Sequence, residues 1–236
     1  MDTLKSAMDD AAAECSLAVP ALFATNTTDS YVQLKRYMYD AAKELLTRHD
    51  WANCTREQTV TGTGTDTYAL AADFGRLTRR DEADEPAVWH ASLRRRMLPV
   101  NTNSEWTVLT TLGGNHYGYR IVGSNIEFTE NLATGDTVTV HYVSTGWIEN
   151  ASSRVATWAA DADYTYLPAK LIELGATWRW RRKRGLEFAS YQGEFEIEMT
   201  RFINDDRSIR KINMGPSPEK TSPYDGVDVP TLRAAS

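Results

Sequence analysis

Three carboxylates, four histidines and one basic run are the residues of this chain whose types could do chemistry. Glu127, Asp161 and Asp163 could serve a glycan hydrolase, which needs two carboxylates about 5–10 Å apart across a cleft. Asp161-Ala162-Asp163 could also open a calcium loop, but the glycine and closing glutamate of such a loop are missing. The pair stands just before an apolar helical run, so it reads best as a helix N-cap. His49, His90, His116 and His141 lie far apart and lack metal-ligand spacing. No G-x-S-x-G elbow, Walker loop, G-x-G-x-x-G fingerprint or H-E-x-x-H pair occurs, so no cofactor, metal or catalytic centre is expected. Gly62-Thr63-Gly64 and Gly113-Gly114 read as turns, lacking the strand-then-helix context and lysine of a phosphate cradle.

The basic run is Arg179, Arg181, Arg182, Lys183 and Arg184, interleaved with Trp178 and Trp180. Its simplest reading is the solvated end of a helix; its sharper one is a nucleic-acid-binding module. Consecutive helical residues advance about 100° each, so Arg181 to Arg184 form a collar around the helix, not a stripe. A collar suits partners on different sides better than one duplex. Trp178 continues the apolar row Leu167, Leu171, Leu174 and is expected in the core. Trp180, about 200° away, is expected at an interface, with core packing as the alternative.

These residues need a scaffold. The chain has 236 residues, net charge −6, 42% hydrophobic and 25% charged residues, a soluble-globular composition long enough for one domain or two small ones. The acidic balance argues against a surface wholly built for nucleic acid. Residues 169–211 nevertheless hold ten Lys/Arg against seven Asp/Glu. Cys15 and Cys54 are too few for a disulfide framework; a reducing compartment is the simpler reading, with one distant disulfide as the alternative. Asp2, Asp9, Asp10 and Glu14 do not fit a secretory leader, and no apolar run reaches membrane-spanning length.

Leu4–Val19 is expected to form a first helix stopped by Pro20, and Tyr31–His49 a second, capped by Asp29 or Ser30, with Leu34, Met38, Ala41, Ala42, Leu45 and Leu46 along one face. Trp51 should pack over its end. Strands are expected in Gln58–Leu70, Phe74–Arg80, Thr107–Leu112, Tyr117–Val122, Ile126–Phe128 and Thr137–Ser144, with a tight turn at Gly123-Ser124-Asn125. Pro86–Arg96 should be a short helix or loop. One long helix is expected from Pro168 to Phe202, with Gly185 as a kink or close-approach point. Gly215, Pro216, Pro218, Pro223, Gly226 and Pro230 mark an extended tail. The predicted fold class is α+β: N-terminal helices and a long C-terminal helix form a helical bundle (residues 1–53 and 160–204). An antiparallel β domain (54–159) is inserted, and the tail spans 205–236.

Several motifs recur in order: R-H-D-W at Arg48–Trp51, Tyr68-Ala-Leu-Ala-Ala-Asp-Phe74, a G-x-x-I-x-F strand at Gly123–Phe128, a D-x-D-x-x-x-L-P segment at Asp161–Pro168, and W-R-W-x-x-x-x-G-L at Trp178–Leu186. In this order the chain resembles the head–tail adaptor, or connector, proteins of tailed bacteriophages and related gene-transfer particles, over most of residues 25–215. Related sequences often read Y-x-L-P-x-D-F where this chain has Ala71 in the proline position.

The resemblance implies a virion structural protein made in the host bacterial cytoplasm and located in the neck. Such proteins form a ring, commonly of about twelve copies, beneath the portal. The ring extends the DNA channel, lets packaged DNA pass without sequence-specific binding, and docks the next tail or stopper protein. Long helices line or brace the channel, and C-terminal segments often reach into the portal. Carried onto this chain, the partner or ring interface falls at Trp178, Trp180, Arg181, Arg182 and Arg184. The portal-reaching tail falls at Asn213, Met214 and Tyr224 by position. The alternatives are the nucleic-acid module at Arg179–Arg184 and, less favoured, the hydrolase.

Overall fold

A computed structural model describes residues 3–79, 86–112, 117–151 and 153–208. The protein is mixed α+β; among the described residues it has five helices and several sheets that are antiparallel except for one strand pair. In chain order these are α1 (Leu4–Glu14), α2 (Asp29–Arg48), β1 (Thr55–Thr61), β2 (Thr67–Ala69), β3 (Phe74–Leu77), β4 (Val88–His90), β5 (Arg95–Arg96) and β6 (Leu98–Pro99). Then follow α3 (Asn103–Leu112), β7 (Gly118–Val122), β8 (Asn125–Phe128), β9 (Thr137–Ser144), β10 (Ile148–Glu149), β11 (Arg154–Val155), β12 (Tyr164–Thr165), α4 (Ala169–Lys183) and α5 (Ala189–Ser208).

The first core forms where α1, α2 and α5 all pack on α4. Residues Leu171 to Thr177 of α4 are buried on every side, the pattern of a central helix. This core also takes Val143, Trp147, Ile148 and Trp158 from beyond the helices, so the small sheet β11-β10-β12 belongs with it. The second core lies between a five-stranded sheet centred on β9 and the four-stranded sheet β2-β8-β7-β6, and is filled by Val60, Val88, Tyr119, Ile126, Phe128, Val138 and Val140. Burial alternates along most of β9, as its sequence pattern predicts. Gln58 ties the two sheets together: its side-chain amide donates to the Ala69 carbonyl (2.9 Å) and accepts from the Ala71 N–H (2.8 Å). The turn at the departing Ala71 still forms, with the Phe74 N–H donating to the Ala71 carbonyl.

Several elements differ from expectation, each for a local reason. Helix α1 stops at Glu14, before Pro20 acts: Ser16 takes φ +58°, and Leu17 N–H→Ala12 O and Ser16 N–H→Ala13 O close a Schellman motif. Helix α2 begins at Asp29 itself, with Thr28 in the cap position and no side-chain cap. Thr107–Leu112 is helical, because the Thr102 hydroxyl accepts the Glu105 N–H at 3.2 Å. Thr102-x-x-Glu105 is a helix-start spacing that outweighs the β-branched residues after it. Pro86–Arg96 contains the hairpin β4–β5, turned through Arg94 at φ +51°. Trp51 does cover the end of α2, its indole N–H donating to the Leu45 carbonyl at 3.0 Å. Cys15 and Cys54 are free and buried, and burial pushes both thiols up to about 12.

The long helix expected from Pro168 to Phe202 is two helices. Gly185 at φ +69° ends α4; Leu186 N–H→Arg181 O (3.0 Å) and Gly185 N–H→Arg182 O (3.2 Å) complete a second Schellman motif. Gly185→Ala should therefore cost about 1–2 kcal/mol, because an L side chain is disfavoured in the left-handed region. Urea unfolding of the two proteins measures it, and an unchanged midpoint would refute the assignment. At the other end, α5 continues through residues 205–208, where an extended tail was expected. Asn213, Met214 and Tyr224 lie outside the described residues.

Candidate functional site

The site singled out by the sequence is the C-terminal end of α4 and its turn into α5. Position 168 precedes the helix without any side-chain cap. Asp161 and Asp163 are therefore not caps of α4; they hold loop backbone. Asp161 accepts the Phe23 N–H (3.0 and 3.1 Å) and the Ala24 N–H (2.6 Å), pinning the α1–α2 connection beside the start of α4. Asp163, 4% exposed, accepts the N–H groups of Ala159 (3.1 Å) and Ala160 (2.9 Å). Asp161→Ala should cost about 2–3 kcal/mol by stranding two charge-assisted donors, with Asp161→Asn losing less. Thermal melts compare them, and an Ala variant as stable as the parent would remove this role.

Both tryptophans join the helical core, Trp180 by the alternative left open for it. Trp180 is only 5% exposed and belongs to the helical core, while Trp178 is half-buried. The apolar spacing cannot decide this, because α1, α2 and α5 all pack on α4. Neither indole N–H has a hydrogen-bond partner among the described residues.

The basic collar divides into tied and outward members. Arg179 is ion-paired with Glu44, donates to the Gly175 carbonyl (2.7 Å) and stacks on Trp178 (4.3 Å). Arg181 knits three helices: it donates to the Glu187 carbonyl (2.6 Å) and the Glu14 carbonyl (3.1 Å) and lies over Tyr191 (4.5 Å). The Tyr191 hydroxyl in turn donates to the Glu14 carboxylate (2.9 Å). Arg182, Lys183 and Arg184 are exposed. Arg182 lies over Phe188 (5.9 Å) and Arg184 over Trp180 (4.2 Å), and among the described residues none of these three cations has an ion-paired carboxylate. The one acid of the turn, Glu187, accepts the Ser190 N–H (3.0 Å) at the start of α5. That bond holds its carboxyl below the usual range.

The remaining candidates lie apart. Glu127, on β8, is paired with Arg120 (2.7 Å), whose guanidinium stacks on Trp106 of α3 (4.1 Å). His49 Nε2 lies 2.8 Å from the Asp206 carboxylate. His90 Nδ1 accepts the Leu93 N–H (3.3 Å), with Nε2 3.8 Å from Asp136. His141 lies on β9, and His116 falls outside the described residues. Among the described residues no group of three or more His, Cys, Asp or Glu is placed to hold a metal ion, and no helix is long and apolar enough to cross a membrane.

Sequence reasoning missed the exposed apolar residues, because single valines and leucines carry no periodic signal. Val19, Leu22 and Val32 are exposed around the α1–α2 connection; Leu98, Val108 and Val122 on α3 and the neighbouring strands; Leu186 and Ile197 on the α4–α5 hairpin. No family model matches the chain, and no curated protein matches it.

Proposed function

We infer that this protein is a structural subunit of a tailed-phage neck, a head–tail adaptor that assembles as a ring beneath the portal, extends the DNA channel and docks the next tail or stopper component. On this reading the helices gathered around α4 form the adaptor bundle and the two-sheet unit is its inserted β domain. The observation that carries the proposal is the exposure of apolar side chains in three separate regions. A ring subunit needs two different lateral faces as well as axial ones, and these residues are the candidates for them. Arg182 and Arg184 are the outward members of the proposed interface, with Trp178 beside them; Trp180 and Arg181 support it from within.

Native mass spectrometry of the folded chain mixed with assembled portal tests the reading. A ring of adaptor on portal is expected, and a folded chain that leaves the portal bare would sink the proposal. The outward cations also suit the second reading, a nucleic-acid module. That reading requires duplex affinity that falls steeply with salt and drops when Arg182 and Arg184 become alanine. Glu127 lies on β8, whereas Asp161 and Asp163 share the loop before β12, and each is engaged in a structural bond, which leaves the hydrolase reading without a supporting arrangement.

A further inference from the structure

A cavity of about 210 Å³ lies between the β4–β5 hairpin and the loop that joins β8 to β9. Buried His90 and Leu132 form its floor, the exposed Leu93 and Asn131 its mouth, and the partly buried Tyr117 and Asp136 its walls. His90 is only 2% exposed, and its ring is oriented by its own hairpin. Nδ1 accepts the Leu93 N–H (3.3 Å), so the proton of the neutral ring sits on Nε2. Nε2 is directed toward Asp136 across the cavity that both residues line, and stands 3.8 Å from its carboxylate. That is beyond hydrogen-bonding range, and Nε2 has no hydrogen-bond partner among the described residues. A buried donor without a partner costs about 1–3 kcal/mol.

The pair narrows what the cavity can take. A ligand must accept from the Nε2–H and donate to the carboxylate at the same place. One hydroxyl does both: an oxygen about 2.8 Å from each atom spans the 3.8 Å gap. An anion would face the carboxylates of Asp136 and Glu130, which lines the same cavity. An ammonium would pair with Asp136 and leave the Nε2–H unmet. A metal ion would need a bare Nε2, which the acceptor role of Nδ1 denies it. Further hydroxyls can reach the Asn131 amide, a donor and an acceptor at the mouth. Leu93, Leu132 and the Tyr117 ring supply apolar wall for the C–H groups of such a molecule. The ring is held in place by the Arg95 guanidinium over it (5.3 Å) and by His90 meeting it edge to face (5.9 Å).

We propose that this cavity binds a small neutral polyol of monosaccharide size, with one hydroxyl bridging His90 Nε2 and Asp136. The site belongs to the two-sheet unit, and neither its geometry nor its test depends on the ring reading. Selectivity follows from the buried pair: a molecule without the bridging hydroxyl leaves both polar groups unsatisfied.

The test uses the full-length chain with isotope-labelled histidine, followed by NMR while methyl glycosides of glucose, galactose and mannose are added in turn. The His90 signals are assigned by their loss in His90→Gln. At least one glycoside should bind saturably at millimolar concentration and shift the His90 ring nitrogens. Choline and inorganic phosphate, the cationic and anionic probes, should leave them in place. Asp136→Asn keeps the side-chain shape and should weaken the glycoside roughly tenfold to a hundredfold, the loss of a hydrogen bond to a charged acceptor, while melting as the parent does. The absence of a saturable His90 shift with all three glycosides would overturn the proposal. So would equal affinity in a folded Asp136→Asn, or choline or phosphate binding in place of the glycosides.

Discussion

Phe195→Ala is expected to destabilise the protein by about 3–5 kcal/mol, the usual cost of emptying a buried phenylalanine site. Helix α5 rests on α4 through few fully buried residues. Phe195 is 0% exposed and Met199 3%, while the other apolar residues of α5 are at most half-buried or, like Ile197, exposed. The Phe195 ring sits 3.3 Å from where a Gly175 Cβ would be, with the Arg48 guanidinium 5.8 Å from its centre. Arg48 adds an ion pair to Glu196, and Asp206 holds His49 and the Ala52 N–H. Such polar contacts at a partly exposed boundary contribute little compared with the aromatic ring. The loss is comparable with the whole stability of a small domain, about 5–15 kcal/mol. It should appear as faster amide exchange across Ala189–Ser208, with β9 still protected at moderate denaturant. Equal exchange in both proteins would mean that something other than Phe195 holds α5.

Gly175→Val should cost about 3 kcal/mol or more, through the opposite fault. A Cβ at this position would stand 2.6 Å from the Ala41 Cβ, 3.2 Å from Arg179 Nη1 and 3.3 Å from the Phe195 ring. Two helix backbones therefore meet here at a separation that only a bare glycine allows. Alanine would gain about 1 kcal/mol of helix propensity, yet still meets the Ala41 methyl, so a net loss is expected. Valine adds two more carbons to a closed site, and overpacking of this kind typically costs 1–3 kcal/mol and occasionally more. Combining Gly175→Ala with Ala41→Gly should restore space at this contact. A double-mutant cycle by urea unfolding would show positive coupling between the two sites; strict additivity would remove the close approach as the cause.

Much of the fold is legible in the sequence. Strand β9 was bounded at Thr137–Ser144 by its alternation, and the β7–β8 hairpin by Gly123-Ser124, where Val122 pairs with Asn125. The second helix was read from the stripe Leu34 to Leu46. These elements each have one buried face, so burial leaves a period in the sequence. Helix α4 has no such face. Leu171 to Thr177 are buried all round, so its period does not say which tryptophan lies deeper, and Trp180, expected at an interface, is the more buried of the two. Helix α3 was misread although Thr102 and Glu105 stood at capping distance, because the threonines and valine that follow favour strand when taken alone.

The carboxylates show the same division. Asp161 and Asp163 read from the sequence as helix caps, and they instead hold loop backbone. Their actual partners, the N–H groups of Phe23 and Ala24 for one and of Ala159 and Ala160 for the other, depend on how the chain returns. The Phe23 contact spans 138 residues, a separation no local pattern can report. The basic collar was legible as residues and as geometry. Its sorting into tied Arg179 and Arg181 and outward Arg182, Lys183 and Arg184 was not, because Glu44, Glu14 and Tyr191 reach it from other helices.

By itself, then, the sequence determined what depends on near neighbours: where most helices and strands form, and a cluster of cations next to two indoles; at Gly185 it points to a kink in one helix, where the chain instead makes a left-handed stop. Tertiary structure alone decided which indole is more deeply buried and which arginines remain outward. Those outcomes follow from the packing of α1, α2 and α5 around one central helix, a set of long-range contacts in which each face of α4 meets a different neighbour.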